Sequence, residues 1–270
     1  MDNGIDWQDA FQCGSYIAGG SAYPDRWVAE AQAFRDLTNN EIGVAYGDAP
    51  RETVDFFWPR QSPKGLAVFV HGGYWHRFDP ASWSHFAQGA LALGWAVALP
   101  GYTLAPDARV SQITHQVARA IDMAAGRVAG PIRLAGHSAG GHLVCRMVCA
   151  DTPLSPATIT RITRVVSISG VHDLRPIRLH SMNDILGMDQ DEAIAESPAL
   201  LQPLPDVSVS AWVGARERPE FLRQAALLSE AWTTDTRAVP LVVEPERHHF
   251  DVIDGLRDPA HPLAQSFVGD

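Results

Sequence analysis

The sequence predicts an α/β fold: a mostly parallel, eight-stranded sheet with helices on both faces. Three observations carry that expectation. From about residue 66 onward, short apolar runs suited to buried strands alternate with stretches of helical periodicity, a rhythm that requires crossover connections. One run, beginning at Ile132, empties into Gly136-His137-Ser138-Ala139-Gly140, a tight turn ahead of residues that can open a helix. Another, beginning at Leu66, empties into His71-Gly72-Gly73-Tyr74-Trp75.

In chain order, residues 1–40 are rich in Ala, Trp and Tyr and read as a helical preface, with apolar residues at helical spacing over 26–37. Segments 41–46 and 52–58 alternate in polarity around the turn signal Gly47-Asp48-Ala49-Pro50, which predicts an antiparallel hairpin at a sheet edge. Strand 66–70 should lead to helix 81–93, strand 95–99 to helix 111–127, and strand 132–135 to a helix beginning at Gly140. Strand 163–168 precedes an irregular segment; strand 208–213 leads to helix 219–231, and strand 239–243 to a last helix beyond His249. The stretch 171–207 is the long departure from this rhythm and reads as a lid over a site. It carries Arg175, Arg178 and His180, which are either solvated surface or a cationic patch for a substrate carboxylate.

With 270 residues and 46% hydrophobic content, the chain can form one domain spanning 1–270 around a single large core. Its net charge of −10 argues against nucleic acid or an anionic membrane as partner. A small-molecule substrate is expected instead, with a homodimer left open. The acidic start lacks the layout of a secretory signal and no apolar run approaches the roughly 18 residues of a membrane span, so a cytoplasmic location is expected. Three cysteines do not make a disulfide framework, and Cys145 and Cys149, four apart, read as buried helix packing. None of the eleven histidines has zinc-type spacing with acidic partners. No metal and no cofactor are expected.

A Gly-x-Ser-x-Gly motif arises by chance in about one chain of this length in ten, so its context carries the argument. Ser138 sits where a strand-to-helix turn lifts a hydroxyl above a parallel sheet, and it is the candidate nucleophile. The glycine loop after strand 66–70 can aim backbone N–H groups at a developing oxyanion. A serine nucleophile needs a base and an orienting carboxylate, in the chain order Ser, acid, His. After the last strand come His248 and His249; His249 is preferred, with Phe250 as an apolar wall and Asp251 as a helix cap. After strand 208–213, Glu217 stands where the acid belongs, with Glu220 and Asp173 as competitors. The remaining histidines have structural accounts: His71 bracing the oxyanion loop, His137 in the free position of the elbow, His142 in helix packing or at the surface.

Together, HGGYW at 71–75, PGYTLAP at 100–106, GHSAGG at 136–141, SGVHDLRP at 169–176, GARERPEF at 214–221 and HHFD at 248–251 resemble the kynurenine formamidase (arylformamidase) branch of the α/β-hydrolases, near the hormone-sensitive-lipase-like esterases. The resemblance runs from about residue 40 onward and implies Ser138 as nucleophile, His249 as base, and Glu217 where the family usually has aspartate. It implies oxyanion donors at the backbone of Gly73, Tyr74 and Ala139, and an aryl pocket that Trp75 either walls or merely supports from the core. The function so implied is serine hydrolysis of a small amide or ester, foremost an aryl formamide such as N-formylkynurenine. A small-molecule carboxylesterase is the alternative, and a non-catalytic binding protein the remote one.

Overall fold

A computed structural model describes residues 4–269; the first three residues of the expected preface and Asp270 lie outside the described residues. The chain opens with α1 (Trp7–Ala10), two single 3-10 turns and α2 (Tyr23–Leu37). β1 (Asn40–Ala45) and β2 (Thr53–Phe57) then form the edge hairpin. β3 (Leu66–Val70) is followed by a 3-10 stretch (Pro80–Ala87) that runs into α3 (Gln88–Ala92), β4 (Ala96–Pro100), α4 (Val110–Arg127), β5 (Ile132–His137), α5 (Ala139–Arg146) and α6 (Pro156–Ile159). After β6 (Ile162–Ile168) come a 3-10 turn (Arg175–Leu179), α7 (Asn183–Leu186) and α8 (Gln190–Ala195). β7 (Ser208–Gly214), α9 (Pro219–Trp232), β8 (Leu241–Glu244), a 3-10 turn (Val252–Arg257) and α10 (Pro262–Val268) complete the fold.

The sheet has eight strands in the order β1-β2-β4-β3-β5-β6-β7-β8, parallel from β4 to β8 and antiparallel only where β2 joins β1 and β4. Strand periodicity explains the apolar runs. Leu66, Val68 and Val70 enter one buried cluster together with Ile113, Ile121 and Leu143, while Ala67 and Phe69 enter another with Trp27, Trp83 and Phe86. No helix of the described residues is long and apolar enough to cross a membrane.

Two elements differ from expectation. The helix expected over 81–93 begins as 3-10. Asp79 caps it by accepting from Ser82 N–H, Pro80 supplies a preset first φ, and the 3-10 repeat stacks Trp83 and Phe86 on one face, both about 6 Å from Phe69. The stretch 171–207 is not a free lid. Glu192 accepts from Arg109 Nε and from Ser111 Oγ, and Glu196 accepts from Thr114 Oγ1 at 2.6 Å, so α8 and its flanks are pinned to α4.

Candidate active site

Four loops leave the C-terminal ends of β3, β5, β7 and β8, the end at which parallel α/β sheets bind ligands. Val70 pairs with Gly136, so the 71–78 loop and the Ser138 elbow are neighbours by register. Ser138 itself has φ 55° and ψ −118°, a strained conformation that raises the residue between strand and helix. The turn closes only because its flanks lack side chains. A Cβ on Gly136 would collide with the carbonyl of Gly140, and one on Gly140 with the carbonyl of Val70.

Glu217 lies in the turn after β7, and His249 in the turn after β8, its strand neighbour. His249 Nδ1 donates to Glu217 Oε2 at 2.6 Å. The other carboxylate oxygen accepts from Ser169 Oγ at 2.5 Å and from the Gly214 N–H at 2.8 Å. With Nδ1 occupied in this way, Nε2 is the nitrogen left for a substrate-side proton. The His249 ring packs against Phe221 and His137, at centroid distances of 4.4 and 4.6 Å. His137 Nε2 donates to the His249 carbonyl at 2.8 Å, and burial holds that ring far below the usual histidine range, so it acts as a neutral brace.

Burial opposes charge on His249, but the Cys13 sulfur and the Glu217 carboxylate favour the proton more strongly and raise its pKa to about 10. Ser138, His249 and Cys13 all line one cleft of about 790 Å³. Among the described residues the Ser138 hydroxyl has no hydrogen-bond partner, an open arrangement common before substrate closes such a site. The backbone N–H groups of Gly73, Tyr74 and Ala139 likewise make no hydrogen bond within the described chain. His71 supports this loop: its Nδ1 bonds the Gly72 carbonyl at 2.8 Å, and its ring stacks on Tyr102 at 4.5 Å.

The competitors are engaged elsewhere. Glu220 pairs with Arg223 and accepts from Gln224, while Asp173 pairs with Arg175. His248 is turned to the Tyr23 hydroxyl, at 3.2 Å. Asp251 does not cap the following 3-10 turn; its carboxylate folds back onto the His248 N–H at 2.7 Å.

Three expected substrate contacts are corrected. Trp75 is fully buried, donates from its indole to His142 Nδ1 at 3.2 Å, and belongs to the core rather than the cleft. Arg175 is held by Asp173 and Arg178 by Gln190, and neither lines the cleft. Of the four, only His180 does. The aromatic wall comes instead from the half-buried Phe78 and Phe250, backed by the buried Trp27 and Trp83; the other three rings each lie within about 6 Å of Trp27. Residues of the preface roof the cleft: Phe11 packs edge-on against Phe221, its carbonyl accepts from the Tyr74 hydroxyl at 2.5 Å, and Asp9 pairs with Arg218. Sequence reasoning missed Ser169, Arg77, Cys13, Trp27 and Trp83. The tryptophans were visible as a bulky pair in helical stretches, but nothing in the sequence indicates which face of those stretches meets the site.

The chain matches the α/β-hydrolase fold family over residues 67–244. It is 30% identical to kynurenine formamidase of Salmo salar over 243 residues, which cover 86% of this chain and 82% of that one. Identity to the kynurenine formamidase of Drosophila melanogaster is 27% over 240 residues, with coverages of 82% and 79%. Among solved structures, a provisionally assigned thioesterase from Silicibacter sp. TM1040 superposes with a TM-score of 0.93 at 48% identity, over 97% of this chain and 99% of that one. Esterase B of Lactobacillus rhamnosis superposes with a TM-score of 0.68 at 18% identity, over 88% of each chain, a likeness of fold alone. The protein is a hydrolase enzyme, and its chain belongs to the kynurenine formamidase-like branch of the α/β-hydrolase fold family.

Proposed function

We propose that the enzyme hydrolyses an aryl formamide, of which N-formylkynurenine is the type, through a formyl-enzyme on Ser138. The observation that carries this reading is the 2.6 Å hydrogen bond from His249 Nδ1 to Glu217 Oε2, which leaves Nε2 to serve a serine in the same cleft. Neutral His249 takes the Ser138 proton as Oγ attacks the formyl carbon. The amides of Gly73, Tyr74 and Ala139 stabilise the oxyanion. The C–N bond then breaks, the aryl amine leaves with the proton from His249, and water repeats the sequence to release formate. Glu217 orients the imidazole and stabilises its charged form without itself taking the proton.

Formyl is the smallest acyl group, so binding energy must come from the amine side. Phe78 and Phe250, backed by the buried Trp27 and Trp83, offer an aromatic surface for it. Small-molecule carboxylester hydrolysis is the second reading. The 48% identity to a provisionally assigned thioesterase adds thioesters to the substrates worth comparing. The deciding measurement is kcat/KM for N-formylkynurenine beside p-nitrophenyl acetate and a short acyl thioester. The formamide should be the best substrate, and a preference for either ester type overturns the formamide reading. Ser138→Ala should abolish labelling by a fluorophosphonate probe and lower turnover by about 10⁴-fold or more. Retained labelling would dismiss Ser138 as nucleophile.

A further inference from the structure

We infer that Arg77 forms an anion subsite at the lip of the cleft and selects substrates whose leaving amine or alcohol carries a carboxylate. This assignment rests on the hydrolytic reading of Ser138 and deepens it by naming a residue that sets its specificity.

Arg77 is exposed, lines the cleft, and among the described residues makes no ion pair and no side-chain hydrogen bond. Among the described arginines only Arg60, which lies outside the cleft, shares this state. Arg109, Arg146, Arg175, Arg218 and Arg223 are all engaged by carboxylates, as an excess of acidic groups would lead one to expect. Among the described residues no Asp or Glu lines the cleft, so its one guanidinium faces no internal competitor. The neighbouring histidines do not share the charge. Burial lowers both His76 and His180, Arg77 lowers His76 further, and the Nδ1 of His180 already accepts from the Met182 N–H at 2.8 Å.

The position of Arg77 is also built in. The Gly73 carbonyl accepts from both the His76 and Arg77 N–H groups, at 3.1 and 2.9 Å, so one turn presents the amides of Gly73 and Tyr74 and anchors the arginine backbone. Tyr74, Trp75 and Phe78 all hold left-handed φ values, 51°, 59° and 69°, which side-chain-bearing residues adopt only where the surroundings demand it. A substrate whose carbonyl sits on those amides therefore has a guanidinium one side chain away. Guanidinium is the group best matched to a carboxylate, through two parallel charge-assisted hydrogen bonds.

The test uses the wild-type enzyme, Arg77→Met and Arg77→Lys on two matched pairs: an aryl formamide with and without a side-chain carboxylate, and an aryl acetate with and without one. In whichever pair is turned over, the wild type should prefer the carboxylated member. Arg77→Met should reduce that preference about 10- to 100-fold, mainly through KM, and Arg77→Lys should restore part of it. A wild type without preference, or a preference that survives in Arg77→Met, overturns the assignment. If only the acetates are cleaved, the formamide reading fails, and the acetate pair still decides the role of Arg77. Calorimetric titration with the carboxylated aryl amine gives the same comparison without turnover: weaker binding to Arg77→Met supports the subsite, and equal binding dismisses it.

Discussion

At the base of the cleft, the Glu217 carboxylate accepts three hydrogen bonds and His249 is 4% exposed, whereas at the rim Arg77 is exposed and its guanidinium is bonded to nothing in the described chain. The two regions meet different physical demands. A group that stabilises developing charge must already be oriented when the reaction occurs, and burial among fixed donors removes the reorganisation that water would require. A group that selects a charged substrate must remain unpaired until the ligand arrives, which exposure to water permits at little cost. The same loop serves both regions, since Gly73 and Tyr74 face the base and Arg77 the rim.

The most severe way to break this contrast is to disable the base. Glu217→Gln should lower turnover by about 10⁴-fold, because the neutral amide no longer fixes the imidazole tautomer. Glu220→Gln should stay within about threefold, since that carboxylate serves Arg223 and Gln224. Equal effects of the two substitutions on kcat would remove Glu217 from its role.

A milder probe is pH. Only neutral His249 can accept the serine proton, and its pKa is raised, so kcat/KM should climb with pH along a limb lying above the ordinary histidine value of about 6.5. The same shift carries a sign for stability: the contacts of His249 with the Cys13 sulfur and the Glu217 carboxylate contribute fully below about 6.5 and lose their contribution as pH rises through about 10. Glu217→Gln should move the kinetic limb to lower pH. A wild-type limb at or below about 6.5 would show that neither the Cys13 sulfur nor the carboxylate holds the proton.

The smallest expected effect sharpens the contrast from the rim. Tyr74→Phe removes the 2.5 Å hydrogen bond to the Phe11 carbonyl that ties the oxyanion turn to the roof. A loss of about 1 kcal/mol, or roughly 2 °C in Tm, is expected by thermal denaturation. An unchanged Tm would mean that the roof is not secured through that hydroxyl.

Much of the base was legible in the sequence because its constraints are local. Strand-to-turn transitions place Ser138, Glu217 and His249 at the ends of the parallel strands β5, β7 and β8, and glycines mark the turns that no other residue could make. Glu217 was preferred over Glu220 for its place after the strand, but the competitors stayed open because the choice depends on which oxygen meets an imidazole 32 residues away in sequence. The rim was hardly legible at all. Arg175 and Arg178 were read as either solvated surface or a cationic patch for a carboxylate, but each finds a polar partner beside it, while Arg77, just beyond HGGYW, drew no attention as a cation.

Periodicity of apolar residues and the positions of Gly and Pro determine, without coordinates, an α/β sheet, its strand sequence and the turns that carry the chemistry, because these follow from backbone sterics and burial within a few residues. Tertiary packing alone decided that Trp75 is core, that Trp27 and Trp83 back the cleft wall, that the first turns of the chain roof it, and that among the described residues the arginine lining the cleft, Arg77, has no counter-ion. Pairing and burial are properties of groups brought together from distant parts of the chain, and no local pattern encodes which of many like residues will meet.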